Sequence, residues 1–589
     1  MYSSIKSVQI LIALLKQFEI QDIVLSPGGS DIPIIRSMES DEWFQLHSVV
    51  DERSAAYYAM GVAQMKNKPV ACVCTSGTAV CNYLPGITEA YYQNVPVLVI
   101  SADKNPYFQN QLETQKINQT EIFNGVVKKS VNLPLVNNGD DEWLCNRLIN
   151  EALLELHHHG TGPVHINIPL REGLTSFECE KLPVERKMKF VNIFDEKNWR
   201  TYTEYLERKK KILVVVGQNL CFENKDIECL NKFFAKFNCI FSIEHLSNVE
   251  IDGAINTYPL TEAGNIFSFK ELVPDLIISI GNNLSAYNLK PFLRINSSKS
   301  DNWLIHEDGV VRDAYCCLTN IFECNPIIFF EKMLKYASSN ISNDMHYYSA
   351  WKSAVGKIDI PEPVFSNFYV AGKLAETIPQ NSILHTAILN STRVMQYFPL
   401  AKGVKSYSNV GALGIDGCLS SFIGQSAVTD ELTYLLIGDL SFFYDMNAAG
   451  IRGIRPNMRI ILLNNGGGAE FQVMVGGIMN NIDTYICAKH KKSAKGWIES
   501  LGYEYYNAKS KSEFDDIIVK FANKSEKPLF LEVFTDMSGD GSQTREFYDL
   551  NKHCVNSQET SSIIKEKVKE IVGQKNIEKA KKIISVIKE

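Results

Sequence analysis

Along most of the chain, apolar runs of strand length alternate with segments of helical spacing. "DIVLSPGG", "PVACVCTSGTA", "VPVLVISAD" and "GPVHINIPL" are short, rich in Val and Ile, and end in small or turn-forming residues. A run with no polar face is buried on both sides, so these predict parallel strands covered by helices, one doubly wound unit over residues 1–184. A polar stretch near 185–210 ends in "ERKKK", read as a solvated helix face rather than a phosphate patch. It opens a second group, "ILVVVGQ" and "PDLIISIGNN", which marks a central Rossmann-like domain over 185–360. After a Pro-containing linker at 361–363 come "SILHTAI", "TYLLIGDLS", "MRIILLNNGGG" and "PLFLEVFTD", a third unit over 361–550. The lysine-rich end, 551–589, reads as a helical tail. The fold class is α/β, with three doubly wound parallel-sheet domains.

Composition narrows the function without naming it. A chain of 589 residues is too long for one hydrophobic core. Its net charge of −7 gives no electrostatic reason to expect nucleic acid or an anionic membrane. "MYSSIKSVQILIALLKQFEI" is helical in spacing but lacks the unbroken apolar run of a signal peptide, and no later stretch has the roughly 18 apolar residues of a membrane span. A cytoplasmic protein is expected. The 14 cysteines are scattered without Cys-x-x-Cys pairs, which predicts buried thiols. The triplet His157–His159 lacks i, i+4 spacing and reads as a helix end rather than a metal site.

Chemistry concentrates in "GDLSFFYDMNAAGIRGIRPNMRIILLNNGGG", residues 438–468. Ligands of parallel α/β sheets collect at the carboxyl ends of strands, where "TYLLIGD" delivers Asp439 and "MRIILLNN" delivers Asn464 and Asn465. "SFFYDMNAAGI" between them reads as the crossover helix, with free N–H groups at its start. A carboxylate, an amide oxygen and a carbonyl from the glycine loop suit Mg²⁺, which keeps phosphate oxygens in its octahedron. A Mg²⁺-bridged diphosphate follows.

Gly438-Asp439, the intervening unit and Asn464-Asn465 resemble the diphosphate-binding motif of thiamine-diphosphate enzymes, with Leu440 where that superfamily usually has Gly. "GDLSxxYDxNA" is similar to the variant in the 2-succinyl-5-enolpyruvyl-6-hydroxy-3-cyclohexene-1-carboxylate synthase family of menaquinone biosynthesis. "SPGGSDIPI", "VVDERSAAYYAMGVAQ", "PVACVCTSGTAVCNYLPGITEA" and "YSNVGALGIDG" also resemble that family, so the likeness runs through most of the first and third domains; the middle domain matches only in general pattern.

The resemblance assigns roles. Glu52 would drive the aminopyrimidine into its imino tautomer, a task that needs an apolar setting. Gln115 would lie near the reacting carbon, and Ile415 would wedge between the cofactor rings. Ser76 and Gly77 of the Thr-Ser-Gly-Thr turn join the cofactor set, and Gly438, Leu440 and Ser441 would line the diphosphate. Metal ligands would be Asp439, Asn465 and the carbonyl of Gly467. It further implies a homodimer or dimer of dimers, each site taking Glu52 from one chain and Asp439 from its neighbour.

Departures from the family pattern concern substrate. Ser30 replaces the arginine of "GSRS", Val410 that of "SNRG", Met395 aligns with a third, and Lys104 with a fourth; Arg393 is two residues from Met395, and Asn118 is grouped with these as substrate-facing. A guanidinium binds a carboxylate in a two-point fork that lysine cannot reproduce. The cofactor machinery is therefore expected to be kept and the pocket changed: a less acidic 2-oxo acid than 2-oxoglutarate, such as pyruvate, is decarboxylated and the acyl anion passed to a carbonyl acceptor such as a sugar. Alternatives are a simple decarboxylase, a genuine member with 2-oxoglutarate and isochorismate as substrates, and a catalytically silent homologue. A flavin- or NAD-dependent oxidoreductase is disfavoured because no G-x-G-x-x-G follows either middle-domain strand. His385, at a predicted strand end, reads as a structural histidine ahead of an acid or substrate donor.

Overall fold

The computed structural model describes residues 1–170, 176–218, 222–452, 454–474 and 481–551. The helical tail read over 551–589 lies, beyond Asn551, outside the described residues. Three parallel-sheet α/β domains are present, distributed over two compact units. One unit combines Met1–Asn192 with Asp308–Glu323; the other combines Ile193–Glu307 with the chain from Cys324 on.

The first unit contains six parallel strands in the order Gln45–Ser48, Asp22–Ser26, Val70–Cys74, Val97–Asp103, Val164–Pro169, Lys129–Asn132. Side chains alternate faces along a strand, and here both faces are apolar. Ile23, Leu25, Ala71, Val73, Leu98 and Ile100 enter one core with Val8, Leu11 and Leu15 of helix Lys6–Gln17 and Ile149 of helix Gly139–Glu155. Val24, Val70, Cys72, Cys74, Val97 and Val99 enter the opposite core with Ala55, Ala56 and Ala59 of helix Glu52–Lys66 and Ile87 of helix Leu84–Tyr92. A further parallel pair, Leu318–Phe322 with Lys189–Phe190, belongs to the same unit.

The second unit holds two sheets. One runs Ala254–Asn256, Cys239–Ile243, Ile212–Val216, Leu276–Ile280, Asp301–Ile305; the other runs Lys405–Tyr407, Ile383–Thr386, Thr433–Gly438, Met458–Asn464, Leu529–Phe534, Glu504–Ala508. Gly438 pairs with Leu463, so Asp439 and the Asn464-Asn465 pair leave adjacent strands at the same edge.

Two local expectations need correction. The crossover is not one helix but a helix at Asp439–Tyr444 and a 3₁₀ turn at Met446–Gly450, broken at Asp445. Asp445 accepts hydrogen bonds from the Ser420 backbone N–H and hydroxyl, both at 2.8 Å, which holds the chain out of helical register. The basic run after Leu206 follows helix Glu196–Glu207 instead of forming its face; Lys209 reaches Asp301 Oδ2 at 3.4 Å.

Candidate active site

In the second unit, Asp439 is 2% exposed at the start of its helix. Its Oδ2 accepts the N–H groups of Gly466 at 2.7 Å and Gly467 at 3.0 Å, and Oδ1 accepts that of Leu440 at 2.6 Å. Burial pushes this carboxyl up to about 6, against the pull of the N–H groups of Leu440, Gly466, Gly467 and Asn465. Gly467 has φ +153°, and a Cβ there would lie 2.6 Å from the Cys487 carbonyl oxygen, so the loop can approach Asp439 only as glycine.

Asn465 Oδ1 accepts from the Gly467 N–H at 3.2 Å, and its Nδ2 donates to Asp540 Oδ2 at 2.9 Å. Asp540 is buried, receives a second bond from the Thr535 hydroxyl, and so fixes which way the amide oxygen of Asn465 points. Asn464 faces inward: its Nδ2 donates to Glu532 Oε1 at 2.7 Å and to the Lys492 carbonyl. Of the two asparagines only Asn465 turns to the glycine loop, and neither orienting acid, Asp540 or Glu532, was singled out in the sequence.

Ser441 is buried and its hydroxyl donates to the Ile415 carbonyl at 2.6 Å, tying the "GALGIDG" segment to the start of the Asp439 helix. Ile415 is half-buried against the core formed by Leu419, Phe422, Leu435 and Ile437. Gly438 closes its strand at the edge that carries Asp439, and Leu440 is the second residue of the helix. His385 is buried and hydrogen-bonded to Gln425 at 3.0 Å, and burial lowers its pKa to about 4.

In the first unit, Glu52 opens helix Glu52–Lys66, whose cap is Asp51 accepting from the Ser54 N–H. Glu52 is half-buried, with Asn82 Nδ2 3.5 Å from its Oε2. The turn after strand Val70–Cys74 is held from two sides. Gln115 Nε2 donates to the Ser76 carbonyl at 3.0 Å, and the buried Gln119 accepts the Gly77 N–H at 2.9 Å. Ser30 Oγ lies 2.9 Å from Ser76 Oγ. Beside it, Asp31 is fully buried with Oδ2 unpartnered; burial pushes its carboxyl up to about 7, the Gly28 N–H pulls down, and the charge of Glu52 adds to the rise. Asp31, Gln119 and Glu470 carry no spacing signal and were missed.

The substrate-facing candidates divide. Val410 is buried, and Asn118 is exposed with its Oδ1 accepting from the Thr120 N–H. Both cations are already paired: Arg393 Nη1 with Glu470 Oε1 at 2.8 Å, and Lys104 Nζ with Glu113 Oε1 at 3.2 Å.

The residues around Asp439 fit a divalent cation. A buried carboxylate is held by neutral N–H donors with a rise in its proton affinity, and His490 Nε2, 3.3 Å from Oδ2, is buried without a hydrogen bond.

Comparison with known proteins identifies the family of the chain. The model of the thiamine pyrophosphate enzyme N-terminal TPP binding domain matches residues 5–122. A 2-succinyl-5-enolpyruvyl-6-hydroxy-3-cyclohexene-1-carboxylate synthase of Bacteroides thetaiotaomicron is 37% identical over 565 residues, covering 93% of this chain and 99% of the relative. Its namesake in Phocaeicola vulgatus is 37% identical, covering 93% and 99%, and that of Cytophaga hutchinsonii 31%, covering 89% and 95%. By this likeness along nearly its whole length, the chain belongs to the 2-succinyl-5-enolpyruvyl-6-hydroxy-3-cyclohexene-1-carboxylate synthase family of thiamine pyrophosphate enzymes.

Proposed function

We propose that the protein is a Mg²⁺-dependent carboligase that decarboxylates a 2-oxo acid and transfers the acyl fragment to a carbonyl acceptor. The observation that carries this reading is the buried Asp439 carboxylate facing the Gly466-Gly467 loop, with Asn465 oriented beside it by Asp540. When bound, thiamine diphosphate supplies an ionisable thiazolium carbon and an electron sink for the pair left by departing CO₂. Asp439, the Asn465 amide oxygen and the Gly467 carbonyl would hold Mg²⁺, and Gly438, Leu440 and Ser441 would line the diphosphate. Ile415 would keep the two rings bent towards each other, with Ser76 and Gly77 on the pyrimidine side. Glu52, from a partner copy, would hold the proton at the aminopyrimidine nitrogen, and Gln115 would orient the substrate carbonyl.

The substrate follows from charge. Ser30 and Val410 offer no cation, Asp31 places an acid in the loop, and Arg393 and Lys104 are matched by Glu470 and Glu113. Among the substrate-facing candidates, a second carboxylate on the donor would find no unpaired guanidinium and would be left as an uncompensated charge. A 2-oxo acid with a small neutral side chain, such as pyruvate, suits these residues better than 2-oxoglutarate. The names of the relatives favour a second reading, the synthase activity that they print, for which the family resemblance implies 2-oxoglutarate and isochorismate as substrates.

One panel separates them. The full chain with thiamine diphosphate and Mg²⁺ is given pyruvate, 2-oxobutyrate or 2-oxoglutarate, with and without an aldehyde, a keto sugar or isochorismate, and CO₂ and ligation products are measured. Higher kcat/KM for pyruvate with an acceptor-dependent product supports the proposal. Preference for 2-oxoglutarate with isochorismate establishes the second reading, CO₂ without ligation indicates a simple decarboxylase, and silence with every acid rejects all three.

A further inference from the structure

The histidine triplet meets a glutamate from far along the chain. His158 Nε2 lies 2.8 Å from Glu323 Oε2 and His159 Nε2 lies 2.6 Å from Glu323 Oε1, across 165 and 164 residues of sequence. We propose that His158, His159 and Glu323 form a binding site for one divalent transition-metal ion of the zinc class, built from none of the residues assigned to the cofactor.

Four features make this more than a chance contact. The three ligand atoms converge within 4.8 Å of one another. His158 Nδ1 is held by Glu155 Oε1 at 2.8 Å, the carboxylate–imidazole arrangement that leaves Nε2 free to bind a metal. The His158 ring stacks on Phe190 at 3.9 Å, which fixes its plane, while the exposed His159 ring, now stacked on His158 at 3.8 Å, would turn to aim its Nε2 at the same ion. Gly309, with φ +61°, makes room for the carboxylate: a Cβ there would stand 2.7 Å from Glu323 Oε2.

The chemistry selects the ion. Two imidazoles and a carboxylate suit Zn²⁺ and its neighbours, whereas Mg²⁺ takes oxygen ligands. Zinc bonds of about 2.0–2.1 Å at tetrahedral angles separate ligand atoms by roughly 3.3 Å, so the two imidazole–carboxylate contacts, now 2.8 and 2.6 Å, would open by about 0.5–0.7 Å. The exposed His159 leaves solvent access for a water as fourth ligand. The sequence spacing could not reveal the site because the third ligand follows strand Leu318–Phe322, remote from the histidines along the chain. A bound ion would pin the end of helix Gly139–Glu155 to that strand.

The test uses tag-free full-length protein carrying thiamine diphosphate and Mg²⁺, stripped of trace metals and titrated with Zn²⁺ against a chromophoric chelator. One equivalent should be withheld from the chelator, and Co²⁺ in its place should give a spectrum without thiolate charge transfer. His159→Ala, at an exposed ring, and Glu323→Gln, of unchanged shape, should each weaken zinc binding at least tenfold while the zinc-free thermal midpoint stays near that of the parent. Failure to withhold zinc, or parental affinity in either variant, overturns the proposal and leaves a hydrogen-bonded imidazole–carboxylate group only.

Discussion

A carboxylate shut away among backbone N–H groups is stable only if something compensates its charge, and at Asp439 the donors are all neutral. Asp439→Ala should therefore abolish Mg²⁺-dependent retention of thiamine diphosphate on gel filtration, and an unchanged cofactor content would remove the metal assignment. Glu52→Gln should lower kcat by about 10²–10⁴ while the cofactor still binds, as expected for loss of a single proton-transfer group. Arg393 gives a test of substrate choice. Glu470→Gln removes its buried partner, so KM for 2-oxoglutarate should fall relative to that for pyruvate; equal KM values in parent and variant would show that Arg393 does not face the donor. Asp439 and Asn465 were legible because strand, turn and glycine loop fix their spacing. Asp540 and Glu470 were not, because a lone acid that packs in from elsewhere in the chain has no local signature.

At the scale of elements, position in the sheet accounts for much of what the sequence revealed, although the interior strand Cys239–Ile243 also went unmarked. The apolar runs it marked are all interior strands, covered on both faces. Gln45–Ser48, Lys129–Asn132, Lys405–Tyr407 and Glu504–Ala508 were not marked; each is an edge strand, short and partly exposed, with polar residues that break the run. Interior strands carry their own consequence at His165, in Val164–Pro169, which is fully buried between Ser101 at 2.7 Å and Ser130 at 2.9 Å. Burial lowers its folded-state value to about 3, below the 6.5 of an unperturbed histidine. Between those values the unfolded chain binds the extra proton, so this contribution is complete above about pH 6.5 and is lost as pH falls towards 3, by up to about 1.4 kcal/mol per unit. His165→Gln has no such proton to take up. Its thermal midpoint should decline less steeply than the parent's from pH 6.5 to 4, and parallel declines would refute the linkage.

At the scale of the whole molecule, the first unit leaves large apolar side chains in water, some of them on the helix that its proposed catalytic acid begins. Val50 is 73% exposed, Met65 87% and Tyr92 75%, on and beside the helix that Glu52 begins. Such a surface is costly on a lone chain and suits a second copy. No periodicity in the sequence could report this, because a helix face that meets a partner reads like any other apolar face; only the family resemblance implied it. If each site draws Glu52 from one chain and Asp439 from the other, two dead variants can repair one another. A dimer of one Glu52→Gln chain and one Asp439→Ala chain has both lesions in one site and none in the other. Random assortment makes about half of the dimers mixed, each with one of two sites intact, so co-expression should restore roughly a quarter of parental activity per site. If Glu52 and Asp439 instead served the same site from within one chain, every site would carry a lesion and the mixture would stay as inactive as either variant alone.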